Sequence, residues 1–103
     1  MPSTEHSWTL FLDRDGVINR RLPNDYVQTI DEFEFIPGVL TALNTLSDLF
    51  STICIVTNQQ GIGKGLMTTG DLGKIHDYFR EQAAEAGTRI DGIYYGEELA
   101  PYK

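Results

Sequence analysis

The chain has 103 residues, 41% of them hydrophobic, with one tryptophan, five tyrosines and five phenylalanines. That is one domain at most, short for an α/β enzyme, with apolar content suited to a packed core rather than to disorder. Fifteen acidic residues against eight basic ones give a net charge of −7, which argues against a nucleic-acid partner, since such a partner asks for a basic face. The cations are unevenly spread: Arg14, Arg20, Arg21 and Lys64 lie near two polar segments described below, as a binding site for a small anion would require. Cys54, the single cysteine, sits in the apolar run 53–56 and reads as a small core residue. The start of the chain lacks a signal-peptide pattern and no run reaches membrane-spanning length. A reducing, cytoplasmic setting with no membrane partner is the expectation, and oligomeric state is open.

In chain order, residues 1–7 are polar and predicted to be frayed. Residues 8–12 are a short apolar run closed by Asp13, the pattern of a buried strand. Residues 16–35 mix Pro23, Asn24, Asp25 and aromatics, and predict an irregular excursion with room for a hairpin. Pro37 suits the first turn of a helix, and Val39, Leu43, Leu46 and Phe50 then fall on one helical face. Residues 51–57 are β-branched and almost wholly apolar, which predicts a strand buried on both sides. Residues 58–65 hold three glycines and predict a loop. Thr68 and Asp71 match a capping box, Leu72, Ile75, Phe79, Ala83 and Ala86 continue a helical stripe, and Gly87 is placed to end it. Residues 90–95 give a third strand. Strand, helix, strand, helix, strand implies an α/β fold, a Rossmann-like parallel sheet with flanking helices and right-handed crossovers, over the single partial domain 1–103.

In an open parallel sheet, ligands bind beyond the carboxyl ends of the strands. The first strand ends at Asp13-Arg14-Asp15-Gly16 and the second at Thr57-Asn58-Gln59, so both polar groups project from one edge. Two carboxylates two residues apart can divide the labour of nucleophile and acid/base if their surroundings differ. A carboxylate approaching a phosphate dianion needs a divalent cation, and oxygen ligands with retained waters suit Mg²⁺. The Thr57 hydroxyl, the Asn58 amide and nearby backbone N–H groups can hold phosphoryl oxygens. Other readings fit less well. The Asp-x-Asp-Gly segment is also ordinary turn chemistry, and it fails as an EF-hand because glycine falls at the fourth position. Gly61-Ile62-Gly63-Lys64-Gly65 fails the P-loop, which wants glycine at Asn58 and Ser or Thr at Gly65, and fails the dinucleotide fingerprint at Leu66.

Phe11-Leu12-Asp13-Arg14-Asp15-Gly16-Val17-Ile18-Asn19 closely resembles the first motif of the haloacid dehalogenase (HAD) superfamily. Val56-Thr57-Asn58-Gln59 and the glycine segment after it resemble the second. Tyr26-Val27, Ile30-Asp31-Glu32-Phe33-Glu34-Phe35-Ile36-Pro37-Gly38-Val39 and Asp91-Gly92-Ile93-Tyr94-Tyr95 are similar to the branch that holds the heptose-bisphosphate and histidinol phosphatases. The resemblance implies a Mg²⁺-dependent phosphomonoesterase for a sugar phosphate or similar small metabolite, working through an aspartyl-phosphate. Asp13 would be the nucleophile and Asp15 the acid/base. The Asp13 carboxylate and the Asp15 carbonyl would bind the metal, while Thr57, Asn58 and Lys64 would bind substrate. The superfamily also uses a third-motif lysine, for which Lys103 is the candidate, and acidic metal ligands from a fourth motif that has no match after Tyr95. The chain therefore reads as the N-terminal part of such a domain. A non-catalytic phosphate-binding module is the alternative. Gly96-Glu97-Glu98 stands where this branch often has a Cys/His loop, so no structural zinc is expected.

Overall fold

The computed structural model describes residues 8–22 and 26–96. Three parallel strands, β1 (Thr9–Leu12), β2 (Thr52–Asn58) and β3 (Gly92–Gly96), form one sheet in the order β1-β2-β3. Between them run α1 (Val39–Leu49), the single turn α2 (Gln60–Gly63) and α3 (Thr69–Glu85), with a 3₁₀ turn at Ile30–Glu32. The expected alternation and parallel sheet are both present. The frayed start expected for residues 1–7 lies outside the described residues.

Each element begins and ends for a local reason. Gly38, at φ 85°, precedes α1, and the Val39 amide bonds back to the Ile36 carbonyl at 3.0 Å. Pro37 therefore belongs to the turn before α1 rather than to its first turn, because the chain must pass through the left-handed region at Gly38 before the helix can start. The capping box of α3 is complete: the Asp71 amide donates to Thr68 Oγ1 at 3.0 Å and the Thr68 amide to Asp71 Oδ2 at 2.9 Å. These bonds hold the Asp71 carboxyl below its ordinary pKa. At the other end Thr88 N bonds Ala83 O at 2.9 Å and Gly87 N bonds Ala84 O at 3.0 Å, with Gly87 at φ 79°. This is a Schellman motif. Asn44 Nδ2 then donates to the Ala86 carbonyl at 2.7 Å and ties α1 to it.

The third strand is set in register by Asp91. Its Oδ2 accepts from the Ile53 amide at 2.7 Å, its own amide donates to Ile53 O at 2.9 Å, and Arg89 braces the carboxylate. Burial of Asp91 opposes ionisation, but the Ile53 and Arg89 bonds outweigh it and lower its pKa.

Both long helices pack on one face of the sheet. Leu12, Ile55 and Ile93 meet Leu43 of α1 and Leu72, Ile75, Phe79 and Ala83 of α3, with Phe33 and Ile18 from the excursion. Phe33, Phe35, Tyr78 and Phe79 contact one another ring to ring. The opposite face differs from the expected double burial. Phe11 is 62% and Tyr94 59% exposed, and Val56 is also exposed. With strand order β1-β2-β3, two crossovers of one hand leave both helices on the same side. Cys54 is buried on the bare face, where its register partner Gly92 lies under the Tyr94 ring.

Residues 60–63 correct the loop expectation. They close one helical turn through Lys64 N to Gln60 O at 2.9 Å. Gly61 allows it: a Cβ there would stand 3.3 Å from the Tyr26 ring and 3.4 Å from Met67 Sδ.

Candidate active site

The turn after β1 is wound tightly around Arg14, whose carbonyl accepts from the amides of Val17, Ile18 and Asn19 at 3.2, 2.7 and 3.2 Å. Gly16 takes φ 89°, open to glycine and strained for other residues. Arg20 N to Glu34 O and Ile36 N to Ile18 O then pair the two arms of the excursion in antiparallel fashion, the hairpin the sequence left room for.

This winding gives the two aspartates opposite surroundings. Asp13 is exposed at the carboxyl end of β1, and its carboxylate makes no hydrogen bond among the described residues. Asp15 is held by four donors. Arg14 Nη2 at 2.7 Å and Asn19 Nδ2 at 2.9 Å meet Oδ1, while Gln59 Nε2 at 3.0 Å and Thr57 Oγ1 at 3.5 Å meet Oδ2. Burial alone raises the Asp15 pKa. The Arg14 charge and the bonds from Arg14, Asn19 and Gln59 together outweigh burial and hold it below the ordinary carboxylate value.

Thr57 and Asn58 reach the same sheet edge on β2. Thr57 is buried and its Oγ1 also accepts from Gln59 Nε2 at 2.8 Å. Asn58 Oδ1 is buried without a hydrogen-bond partner. Lys64 does not join this group. It stands at the end of α2, with Nζ 2.7 Å from Tyr26 Oη and 5.1 Å from the centre of that ring. Lys103 lies outside the described residues.

Gln59 and Asn19 carry no role in the sequence reading, and Arg14 enters it only as a cation for an anion. Gln59 is 1% exposed and Asn19 and Arg14 are fully buried. The available signal was polarity out of place: Arg14 and Asn19 flank Asp15, and Gln59 directly follows the second motif.

For a metal ion, the Asp13 carboxylate and the Asp15 backbone carbonyl are hard oxygen donors of the kind Mg²⁺ takes. The carbonyl receives only a long 3.4 Å contact from Arg21 Nη2. No group of three or more His, Cys, Asp or Glu that could hold a metal occurs among the described residues. Among the described residues no helix is long and apolar enough to cross a membrane.

No protein-family model matches the chain. Curated relatives do. The chain is 49% identical over 88 residues to a D-glycero-alpha-D-manno-heptose-1,7-bisphosphate 7-phosphatase of Mycobacterium tuberculosis, covering 85% of this chain and 46% of that protein. It is 40% identical over 86 residues to the D-glycero-beta-D-manno-heptose-1,7-bisphosphate 7-phosphatase of Escherichia coli, covering 84% and 44%. Among solved structures, the D,D-heptose 1,7-bisphosphate phosphatase of B. bronchiseptica, complexed with magnesium and phosphate, superposes with a TM-score of 0.82 at 34% identity, covering 87% of this chain and 50% of that one. The corresponding enzyme of Burkholderia thailandensis gives 0.64 at 36% identity, covering 84% and 50%. The chain thus spans about half the length of the relatives it matches. In sequence and in fold it is a relative of the HAD-like heptose-bisphosphate phosphatases.

Proposed function

We propose that the chain carries the nucleophile and acid/base of a Mg²⁺-dependent phosphomonoesterase that acts on a small sugar phosphate through an aspartyl-phosphate. The observation that carries this reading is the contrast within one turn: Asp13 exposed and unbonded, Asp15 held by four donors. The names of the relatives support a sugar bisphosphate as the substrate class.

In this reading an Asp13 carboxylate oxygen attacks phosphorus, and the P–O bond to the sugar breaks. Asp15, protonated for this step, gives its proton to the departing oxygen. The resulting Asp15 carboxylate, the form its four donors favour, then takes a proton from water as that water attacks the aspartyl-phosphate and frees Asp13. The Asp13 carboxylate and the Asp15 carbonyl would hold Mg²⁺, which would supply the positive charge that lets a carboxylate approach a phosphate dianion. Thr57 and Asn58 hold phosphoryl oxygens from the β2 end, and Lys64 attracts the incoming anion from the end of α2. The one cysteine, buried and free, suits a cytoplasmic enzyme.

Phosphate release from a sugar phosphate is the test. It is expected with Mg²⁺, to stop with chelator and to return when Mg²⁺ is restored. Full activity in excess chelator, or no effect of Asp13→Asn, would sink the reading.

A further inference from the structure

Arg14 lies between the two aspartates in sequence, yet its side chain turns inward and is fully buried. A buried guanidinium costs several kcal/mol of lost hydration unless its donors are met and its charge is paired. Three groups meet it. Nη2 donates to Asp15 Oδ1 at 2.7 Å, Nη1 lies 3.1 Å from His76 Nε2, and Cζ stands 5.5 Å from the centre of the Phe33 ring. Nε has no partner.

His76 is the polar exception on the buried face of α3, otherwise made of Leu72, Ile75, Phe79 and Ala83. A guanidinium only donates, so the contact requires an unprotonated Nε2 with the ring proton on Nδ1. The surroundings enforce that form. Burial first, then the charges of Arg14 and Arg80, lower the His76 pKa to about 4, while Asp15 pulls weakly the other way.

We propose that His76 is a positioning residue for Asp15: by accepting from Arg14 Nη1 it fixes the guanidinium plane so that Nη2 is presented to Asp15 Oδ1. The guanidinium is rigid and planar, so fixing one nitrogen fixes the direction of the other. Asp15 is thereby turned by a residue of α3, 62 positions after Arg14 and across the core. Without the acceptor, Nη1 is left as an unmet buried donor. The guanidinium is then free to swing, and Nη2 no longer holds the Asp15 carboxylate in one direction. The benefit of this bracket to turnover rests on the phosphatase reading; the bracket itself does not.

The test compares the full chain with His76→Gln, whose amide oxygen can still accept, and His76→Leu, which cannot. By NMR, wild-type His76 is expected as the Nδ1-protonated tautomer, with slowly exchanging Arg14 guanidinium protons. Those protons persist in His76→Gln and are lost in His76→Leu. In turnover, His76→Leu lowers kcat on an alkyl phosphate about tenfold or more, as loss of a supporting hydrogen bond typically does. KM stays within about twofold. An aryl phosphate, whose leaving group needs no proton, loses less, and His76→Gln recovers most of the alkyl rate. The proposal is overturned by an Nε2-protonated His76 in the wild type, a readout that stands even if His76→Leu does not fold. Equal protection of Arg14 in all three proteins, or equal loss of alkyl and aryl turnover in a folded His76→Leu, overturns it as well. The NMR arm needs no hydrolysis, so an intact bracket in an inactive protein would count against the phosphatase reading alone.

Discussion

Gln59 donates from Nε2 to Asp15 Oδ2 at 3.0 Å and so joins the end of β2 to the turn after β1. The same nitrogen meets Thr57 Oγ1 at 2.8 Å, and the Gln59 amide donates to Gly96 O at 2.8 Å. One buried residue thus links all three strands at their carboxyl edge.

Gln59→Leu removes the side-chain donor and keeps the volume. The Asp15 pKa should rise, because one of the bonds that favour its charged form is gone. Stability should fall by about 1–2 kcal/mol, since a half-buried carboxylate oxygen and the buried Thr57 hydroxyl lose a partner. Carbon-detected titration of Asp15 and urea unfolding measure the two effects. An unmoved Asp15 titration would show that Arg14 and Asn19 suffice.

Acid should destabilise the protein in two stages. The folded His76 pKa of about 4 lies below its unfolded value near 6.5, so between these the unfolded chain binds the extra proton and stability falls as pH falls. The loss has an upper bound of roughly 3 kcal/mol. Asp15, whose folded pKa is also depressed, adds a further loss as pH drops below its unfolded value of 3.8. Urea unfolding from pH 7 to pH 4 measures the first stage, and His76→Gln should flatten that part relative to wild type. Parallel curves for the two proteins would contradict it.

Much of this is legible in the sequence. The 3.6-residue stripes of α1 and α3, the Thr68–Asp71 box and the run of β2 each carry their signal within one segment. So does the order of polar strand ends, which brings Asp15 and Thr57 together. Three features were not legible because they depend on distant partners. Val56 and Phe11 read as core, but exposure follows from the side of the sheet the helices take. Gln60–Gly63 winds into a turn because Tyr26 and Met67 close over Gly61. Arg14 read as a cation for an anion, and its burial is settled by His76 and Phe33, both far along the chain.

Gly87 offers a test of the fold apart from the site. It sits at φ 79°, and an added Cβ would come 3.0 Å from Asn44 Nδ2, which is already bound to Ala86 O. Gly87→Ala should cost about 1–2 kcal/mol from the left-handed backbone alone, with more if the Asn44 bond is displaced. Thermal or urea unfolding reads this directly. A stability equal to wild type would mean that the Schellman turn is not fixed in solution.

The division of labour between Asp13 and Asp15 is the centre of the account. General acid–base help is typically worth about 10²- to 10⁴-fold, so Asp15→Asn should keep a residual rate, best seen with leaving groups that need no proton. Asp13→Asn should leave no covalent route. The most direct measurement is intact-protein and peptide mass spectrometry after brief exposure to a phosphate ester or acetyl phosphate with Mg²⁺. One added phosphoryl group is expected on Asp13 in the wild type, with accumulation in Asp15→Asn, where hydrolysis is slowed, and none in Asp13→Asn. A phosphoryl group on Asp15, or one that persists in Asp13→Asn, would contradict it.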